Sequence, residues 1–303
     1  MMFINTISGQ LRLKKLIIIL TSAVVLFYIL APIYWVLVSS FQKESALNDR
    51  PPHFILNPEI FTLDHYTFLF TGVVPEGSSV MIQAQYTMSG TLVYPSVINS
   101  LIIALSVTLI NIVIGFPAGH VFARYRFRGD SKLFAVLVAT RLLPSISIII
   151  PMFILMQKFN LIDTKIGLIG IYSAITTPFT IWILRSYFKN LPVEYEEAAR
   201  MDGCSYLRSL VKVVLPIAKP GIVAAGIFAF MTAYGEFIFA TILTRTIASR
   251  TQTAVLASLA SGISVSHGMV SAASVLSFIP PILLAVIFRK HIIDGLTSKL
   301  SAS

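Results

Sequence analysis

NLPVEYEEAARMDGCSYLRSLVKVVLP, residues 190–216, is a charged stretch set between two long apolar runs, and it reads as helix, turn, helix. Pro192 suits the first turn of a helix, and Glu194, Glu196 and Glu197 then fall near the positive end of its dipole. Gly203 can take the left-handed conformation that stops this helix. Ser205 is placed to cap the next one, which runs to about Val213 before Leu215 and Pro216 turn the chain away. Ala198 and Ala199 are adjacent small side chains that let another protein approach closely, and Glu197 beside them offers an ion pair at the rim. With Glu196, Asp202, Gly203, Leu215 and Pro216 they form a candidate docking surface. An amphipathic connector resting on lipid headgroups fits the same residues equally well.

Outward from this stretch the chain is apolar. It is 56% hydrophobic and 12% charged, with a mean hydropathy of +0.83, too charge-poor for the surface of a soluble domain of 303 residues. A bilayer core about 30 Å thick takes about 20 apolar residues per helix. Runs of that order occur over 16–38, 97–121, 133–156, 166–187, 217–243 and 271–288. The expected fold is therefore an all-α integral membrane protein with six transmembrane helices. Pro32, Pro117, Pro144, Pro151, Pro178 and Pro280 lie inside these runs and are read as kinks, because neighbouring helices can satisfy the freed carbonyls.

Of the 23 Lys and Arg, sixteen fall on the side that holds the N-terminus and the 190–216 loop. Positive charge marks the cytoplasmic side, so residues 1–15, the loop and the tail 289–303 are expected inside. Residues 39–96 and 244–270 are then external. The net charge of +10 belongs to this topology and forms no single basic face for nucleic acid. Residues 39–96 carry five acids against two bases and suit either a small lobe or a linker. Within 244–270, residues 252–268 suit a short re-entrant helix near the outer mouth or a simple surface helix. Cys204 stands alone, which excludes a disulfide within the chain. The run 16–38 is long for a signal peptide and no Ala-x-Ala site follows it, so it is read as an uncleaved anchor.

Polar groups inside apolar runs are candidates for a wetted path: Asn111, Arg141, Ser145, Thr176, Thr232, Tyr234 and Glu236, with Phe230 beside Tyr234 as an aromatic face. Ser and Thr in spans commonly bond their own or a neighbouring helix instead. Arg141 and Glu236 are ionisable, and a charge in mid-membrane costs at least about 2.5 kcal/mol, so each needs a cavity or a partner. Counting helical rise puts them at different depths, which favours separate partners. The five histidines show no metal-ligand spacing, and no nucleophile with a positioned base is evident. No Gly-x-x-x-x-Gly-Lys-Ser/Thr phosphate loop is present, so the chain is expected to bind no nucleotide itself.

Glu197-Ala198-Ala199, Gly203, and then Val213, Leu215 and Pro216 after a nine-residue gap resemble the EAA loop of permease subunits from binding-protein-dependent ABC importers. Val213 stands where that family has Ile. Asn99-Ser100, Ala123-Arg124, Phe127-Arg128-Gly129, Pro144, Pro151, Gly167-Leu168-Ile169, Pro178-Phe179, Ile181-Trp182, Glu236-Phe237 and Gly295-Leu296-Thr297 are similar to its carbohydrate-type, MalG-like branch. Tyr234-Gly235 replaces the branch's usual Trp-Asn. The resemblance implies a type I importer fold in a bacterial inner membrane. It also implies a second, MalF-like permease subunit, two ATPase subunits that use ATP and Mg, and an extracytoplasmic solute-binding protein. An ion-gradient-driven secondary transporter is the main rival; it calls for inverted repeats and several intramembrane carboxylates.

Overall fold

The computed structural model describes the backbone of residues 2–74, 90–261 and 265–297, and the side chains of those between residues 14 and 290. Among the described residues the chain is almost wholly helical, with one isolated antiparallel bridge, Gln42 to Phe61. The helices are α1 (Met2–Ser39), α2 (Glu44–Leu47), α3 (Asp64–Thr71), α4 (Val93–Arg124), α5 (Asp130–Ala139), α6 (Ser145–Lys158) and α7 (Lys165–Asn190). They continue as α8 (Glu194–Met201), α9 (Tyr206–Ser209), α10 (Leu215–Ile217), α11 (Lys219–Tyr234), α12 (Ile238–Leu243), α13 (Gln252–Ala260) and α14 (His267–Thr297). A π-helical turn, Leu210–Val214, joins α9 to α10.

Four stretches among the described residues are long and apolar enough to cross a bilayer: Lys14–Ser39, Gly90–Arg124, Lys165–Asn190 and His267–Lys290. Two further candidates are bent pairs, Asp130–Leu142 with Ser145–Lys158 at 96° and Tyr206–Ile217 with Lys219–Tyr234 at 78°. The count reaches six if each bent pair is one span. The first bend has a local cause. Leu143 precedes Pro144, whose ring disfavours the helical region for its predecessor, and Leu143 is extended at φ −72° and ψ 122°. Pro144 is thus a boundary and not the kink expected from the sequence, whereas Pro32, Pro117, Pro151, Pro178 and Pro280 lie inside helices. The run 217–243 is likewise interrupted, between Tyr234 and Ile238.

The chain divides into two compact units. The first, Met1–Thr91 with Leu259–Leu276, contains α1, whose apolar surface stands open; Phe27 is 75% and Tyr28 81% exposed. Beyond α1 the segment folds back through Lys43 N to Ile60 O and Thr62 N to Phe41 O, and Phe68 is fully buried. The Glu44 carboxylate accepts from the Ser266 hydroxyl and from the backbone N–H groups of His267 and Gly268, which caps the start of α14. Residues 75–89 of the external segment, and residues 262–264 of the expected re-entrant stretch, lie outside the described residues.

The second unit, Leu92–Ser258 with Ser277–Ser303, is built around α4, α7 and α11. Lipid tails are as apolar as leucine, so span packing relies on close van der Waals contact and on polar side chains that bond across helices. Both devices are present. A Cβ on Gly115 would lie 2.8 Å from the Thr180 side chain, and one on Gly119 would lie 2.9 Å from Leu184 Cβ, so these glycines bring α4 close to α7. Asn111, fully buried, donates to Thr176 Oγ1 at 2.5 Å and accepts from Thr177 Oγ1 at 2.7 Å. An apolar cluster of Phe116, Leu184, Phe188, Leu210, Val214, Ala218 and Ala225 fixes the 190–216 loop to the ends of α4, α7 and α11.

Candidate docking site

The loop begins where α7 ends at Asn190. Pro192 lies just outside α8, two positions before the first helical residue, Glu194, with Val193 at the N-cap position, and so is not in the first turn as expected. Glu194, Glu196 and Glu197 occupy the first turn of α8. Its C-terminus closes as a Schellman motif: Gly203 N donates to Arg200 O and Cys204 N to Ala199 O, each at 3.0 Å, with Gly203 at φ +78°. Ser205 sits at the next N-cap position, but its hydroxyl makes no capping bond. After Ala218 the chain bends into α11. A Cβ on Gly221 would lie 2.4 Å from the Tyr187 ring, so only glycine lets α11 pass under that side chain.

The two edges of α8 differ sharply. Glu194, Tyr195, Glu197, Ala198 and Arg200 are exposed, as are Met201, Asp202 and Gly203 beyond them; Met201 is 83% exposed. Leu207 on α9 is 70% exposed, and Leu215 and Pro216 also face outward. Glu196 and Ala199, in contrast, are buried at 5% and 6% exposure, so their side chains belong to the protein's own packing and not to the outer surface. Glu196 meets Arg124 Nε at 2.8 Å and His120 Nε2 at 3.0 Å. Sequence reasoning passed over His120 and Arg124 in this role. Their i, i+4 spacing at the end of an apolar run was the available signal.

The candidate path residues divide as well. Asn111 and Thr176 sit in the α4–α7 seam, and the Thr176 hydroxyl also donates to Tyr172 O. Phe230 and Tyr234 are buried and stacked at 5.5 Å, and the Tyr234 hydroxyl donates to Ser277 O. The Thr232 hydroxyl bonds Phe228 O within its own helix, and Ser145 opens α6. The Glu236 carboxylate accepts from the Tyr172 hydroxyl at 2.6 Å and from Phe239 N and Ala240 N, which holds the start of α12. Arg141 reaches Ile175 O at 3.4 Å and lies over the rings of Phe179 and Phe228 at 5.6 and 5.9 Å. Arg141 and Glu236 therefore use separate partners. Among the described residues no group of three or more His, Cys, Asp or Glu is arranged to hold a metal ion.

Residues 111–297 match the family described as binding-protein-dependent transport system inner membrane component. The chain belongs to that family. It is a permease, the non-catalytic membrane subunit of an ABC importer in which a separate ATPase subunit hydrolyses ATP. The permease is 30% identical over 289 residues to the trehalose/maltose transport system permease protein MalG of Thermococcus litoralis, covering 94% of this chain and 96% of the relative. It is 31% identical to the trehalose transport system permease protein SugB of Mycobacterium tuberculosis, with coverage of 89% and 92%. A bacterial ABC transporter for the acidic polysaccharide alginate contains a chain that superposes at a TM-score of 0.72, with 20% identity and coverage of 92% and 96%. The permease thus has the type I importer fold and crosses the membrane several times, and a secondary transporter finds no support.

Proposed function

We infer that this permease carries a sugar, oligosaccharide or polyol, and that α8 is the helix by which a partner ATPase grips it. The single observation that carries the docking reading is the exposed edge of α8, with Glu197, Ala198, Met201, Asp202 and Gly203 turned outward together. Leu215 and Pro216 extend that surface toward α11. Small and flexible side chains between acids offer a partner a close approach with an ion pair at its rim. The carbohydrate class is supported by relatives of known sugar systems at 30% and 31% identity over nearly the whole chain.

In this reading both termini and the loop are cytoplasmic, in a bacterial inner membrane. A MalF-like second subunit completes the pathway, two ATPase subunits consume ATP and Mg, and a binding protein delivers solute from outside. Arg141, Ser145, Thr232 and Glu236, which are partly exposed, are the candidates to border the path. Asn111, Thr176, Phe230 and Tyr234 act behind it by holding the helices together.

The test uses the complete transporter in proteoliposomes. Gly203→Val forces a β-branched side chain into a left-handed backbone, and Glu197→Lys reverses the rim charge. Both are expected to insert normally and to lose solute uptake driven by ATP. Normal uptake by both variants overturns the docking reading. A thermal-shift screen of the cognate binding protein against sugars and polyols tests the solute class, and stabilisation only by non-carbohydrates overturns it.

A further inference from the structure

Glu196 lies on the edge of α8 opposite the exposed one and reaches α4, a helix more than seventy residues earlier. Two side chains close on it, and a third stands behind one of them. Arg124 Nε donates to one carboxylate oxygen at 2.8 Å, and its terminal NH2 donates to Leu191 O at 2.9 Å. His120 Nε2 is 3.0 Å from the other carboxylate oxygen, and His120 Nδ1 is 2.9 Å from the Tyr206 hydroxyl on α9. Side-chain exposure is 1% for His120, 7% for Glu196 and 13% for Arg124. A carboxylate only accepts, so the proton of a neutral imidazole sits on Nε2 and the Tyr206 hydroxyl donates to Nδ1. One buried negative charge then faces one positive charge.

The covalent chain joins α8 to α7 on one side and, through α9 and α10, to α11 on the other. Nothing covalent joins it to the end of α4. We propose that the cluster of Glu196, His120, Arg124 and Tyr206 is a latch that makes α4 move with α8, with Glu196 as its positioning residue. This rests on the reading of α8 as the ATPase-docking helix and adds a third span to the two it is chained to.

The chemistry fits a mechanical role better than a stabilising one. A buried ion pair adds little stability over an apolar contact of the same volume, but its directional bonds are either made or broken. An apolar contact here would let α8 slide over α4 at small cost. Arg124 also holds Leu191 O, inside the short link between α7 and α8, so α8 cannot swing about that link without breaking a bond to α4. Displacement at the exposed edge is thereby delivered to α4, and through the glycine seam to α7, as one body.

The complete transporter in proteoliposomes tests this with Glu196→Gln, Arg124→Gln and the double variant. The expected result is continued co-purification with the ATPase and continued ATP hydrolysis, with solute imported per ATP falling about tenfold. The double variant is expected to be no worse than either single one, because the residues act as a unit. Unchanged solute per ATP in both single variants overturns the latch. Glu197→Lys, run in parallel, separates the two readings: if it uncouples while Glu196→Gln does not, docking stands and the latch falls. If neither uncouples, the latch falls, and normal uptake by Gly203→Val as well overturns docking itself.

A measurement with the latch intact covers variants that fail to assemble. Spin labels at Val121→Cys on α4 and Glu194→Cys on α8, both exposed positions, are placed in a Cys204→Ser background. Their distance distribution is expected to be the same without nucleotide and with ATP trapped. A shifted distribution means that α8 moves independently of α4 and overturns the proposal.

Discussion

Glu196 and Glu197 are neighbours in sequence with opposite surroundings. Removing the Glu197 carboxylate alters an exposed rim, and substitutions of that kind usually change stability by less than about 0.5 kcal/mol. Removing that of Glu196 strands Arg124 and His120 in a buried site, where breaking one side of a pair costs about 3–5 kcal/mol. Glu196→Ala is therefore expected to lower the unfolding temperature of the purified transporter clearly, and Glu197→Ala to leave it in place; equal shifts contradict the assignment of the two acids. Asp163 gives a pH-dependent counterpart. Burial pushes its carboxyl up, but the Ser249 hydroxyl and the backbone N–H groups of Thr246 and Arg245 outweigh this and hold it down at about 2, from an ordinary 3.8. A depressed acid contributes stability above its unfolded value and loses it as pH falls through its folded value. The stability gap between the native chain and Asp163→Asn, followed by thermal unfolding, is expected to hold above about pH 4 and to close toward about pH 2. A gap that is constant across that window contradicts it.

At the scale of elements, the seam between α4 and α7 is set by Gly115 and Gly119. A valine at Gly119 would press on Leu184 Cβ and on Arg185 N, which a Cβ there already approaches to 3.1 Å. Overpacking of this kind costs about 1–3 kcal/mol. Gly119→Val is expected to lower thermal stability and Gly170→Ala, with open space around it, to leave it unchanged. Equal effects contradict the seam. The Gly-x-x-x-Gly spacing of Gly115 and Gly119 was a signal that sequence reasoning passed over, whereas the stop at Gly203 was read, because few residues other than glycine accept a φ of +78° there. The 96° and 78° bends were not legible. A hydropathy window averages over about 20 residues and does not register direction. Pro144 and Pro178 are chemically alike, yet one ends a helix and the other sits inside one, so the local bias of the ring does not by itself tell a break from a tolerated proline in the sequence. The inward turn of Glu196 was hidden for a related reason. Its partners are distant in sequence, and the eight residues of α8 are too few to show which edge packs.

For the whole molecule, α1 is largely apolar from Leu16 to Leu37 and most of those side chains are exposed, a surface that the described part of the chain leaves for lipid or another subunit to cover. On the proposed reading, the exposed edge of α8 meets an ATPase on the cytoplasmic side. Ala198 stands at the centre of that edge and Cys204 is the sole native thiol, so Ala198→Cys in a Cys204→Ser background gives one reporter. A membrane-impermeant maleimide is expected to label it in inside-out vesicles but not in intact cells, and bound ATPase is expected to protect it. Labelling from outside, or labelling indifferent to the ATPase, contradicts the coupling role of α8.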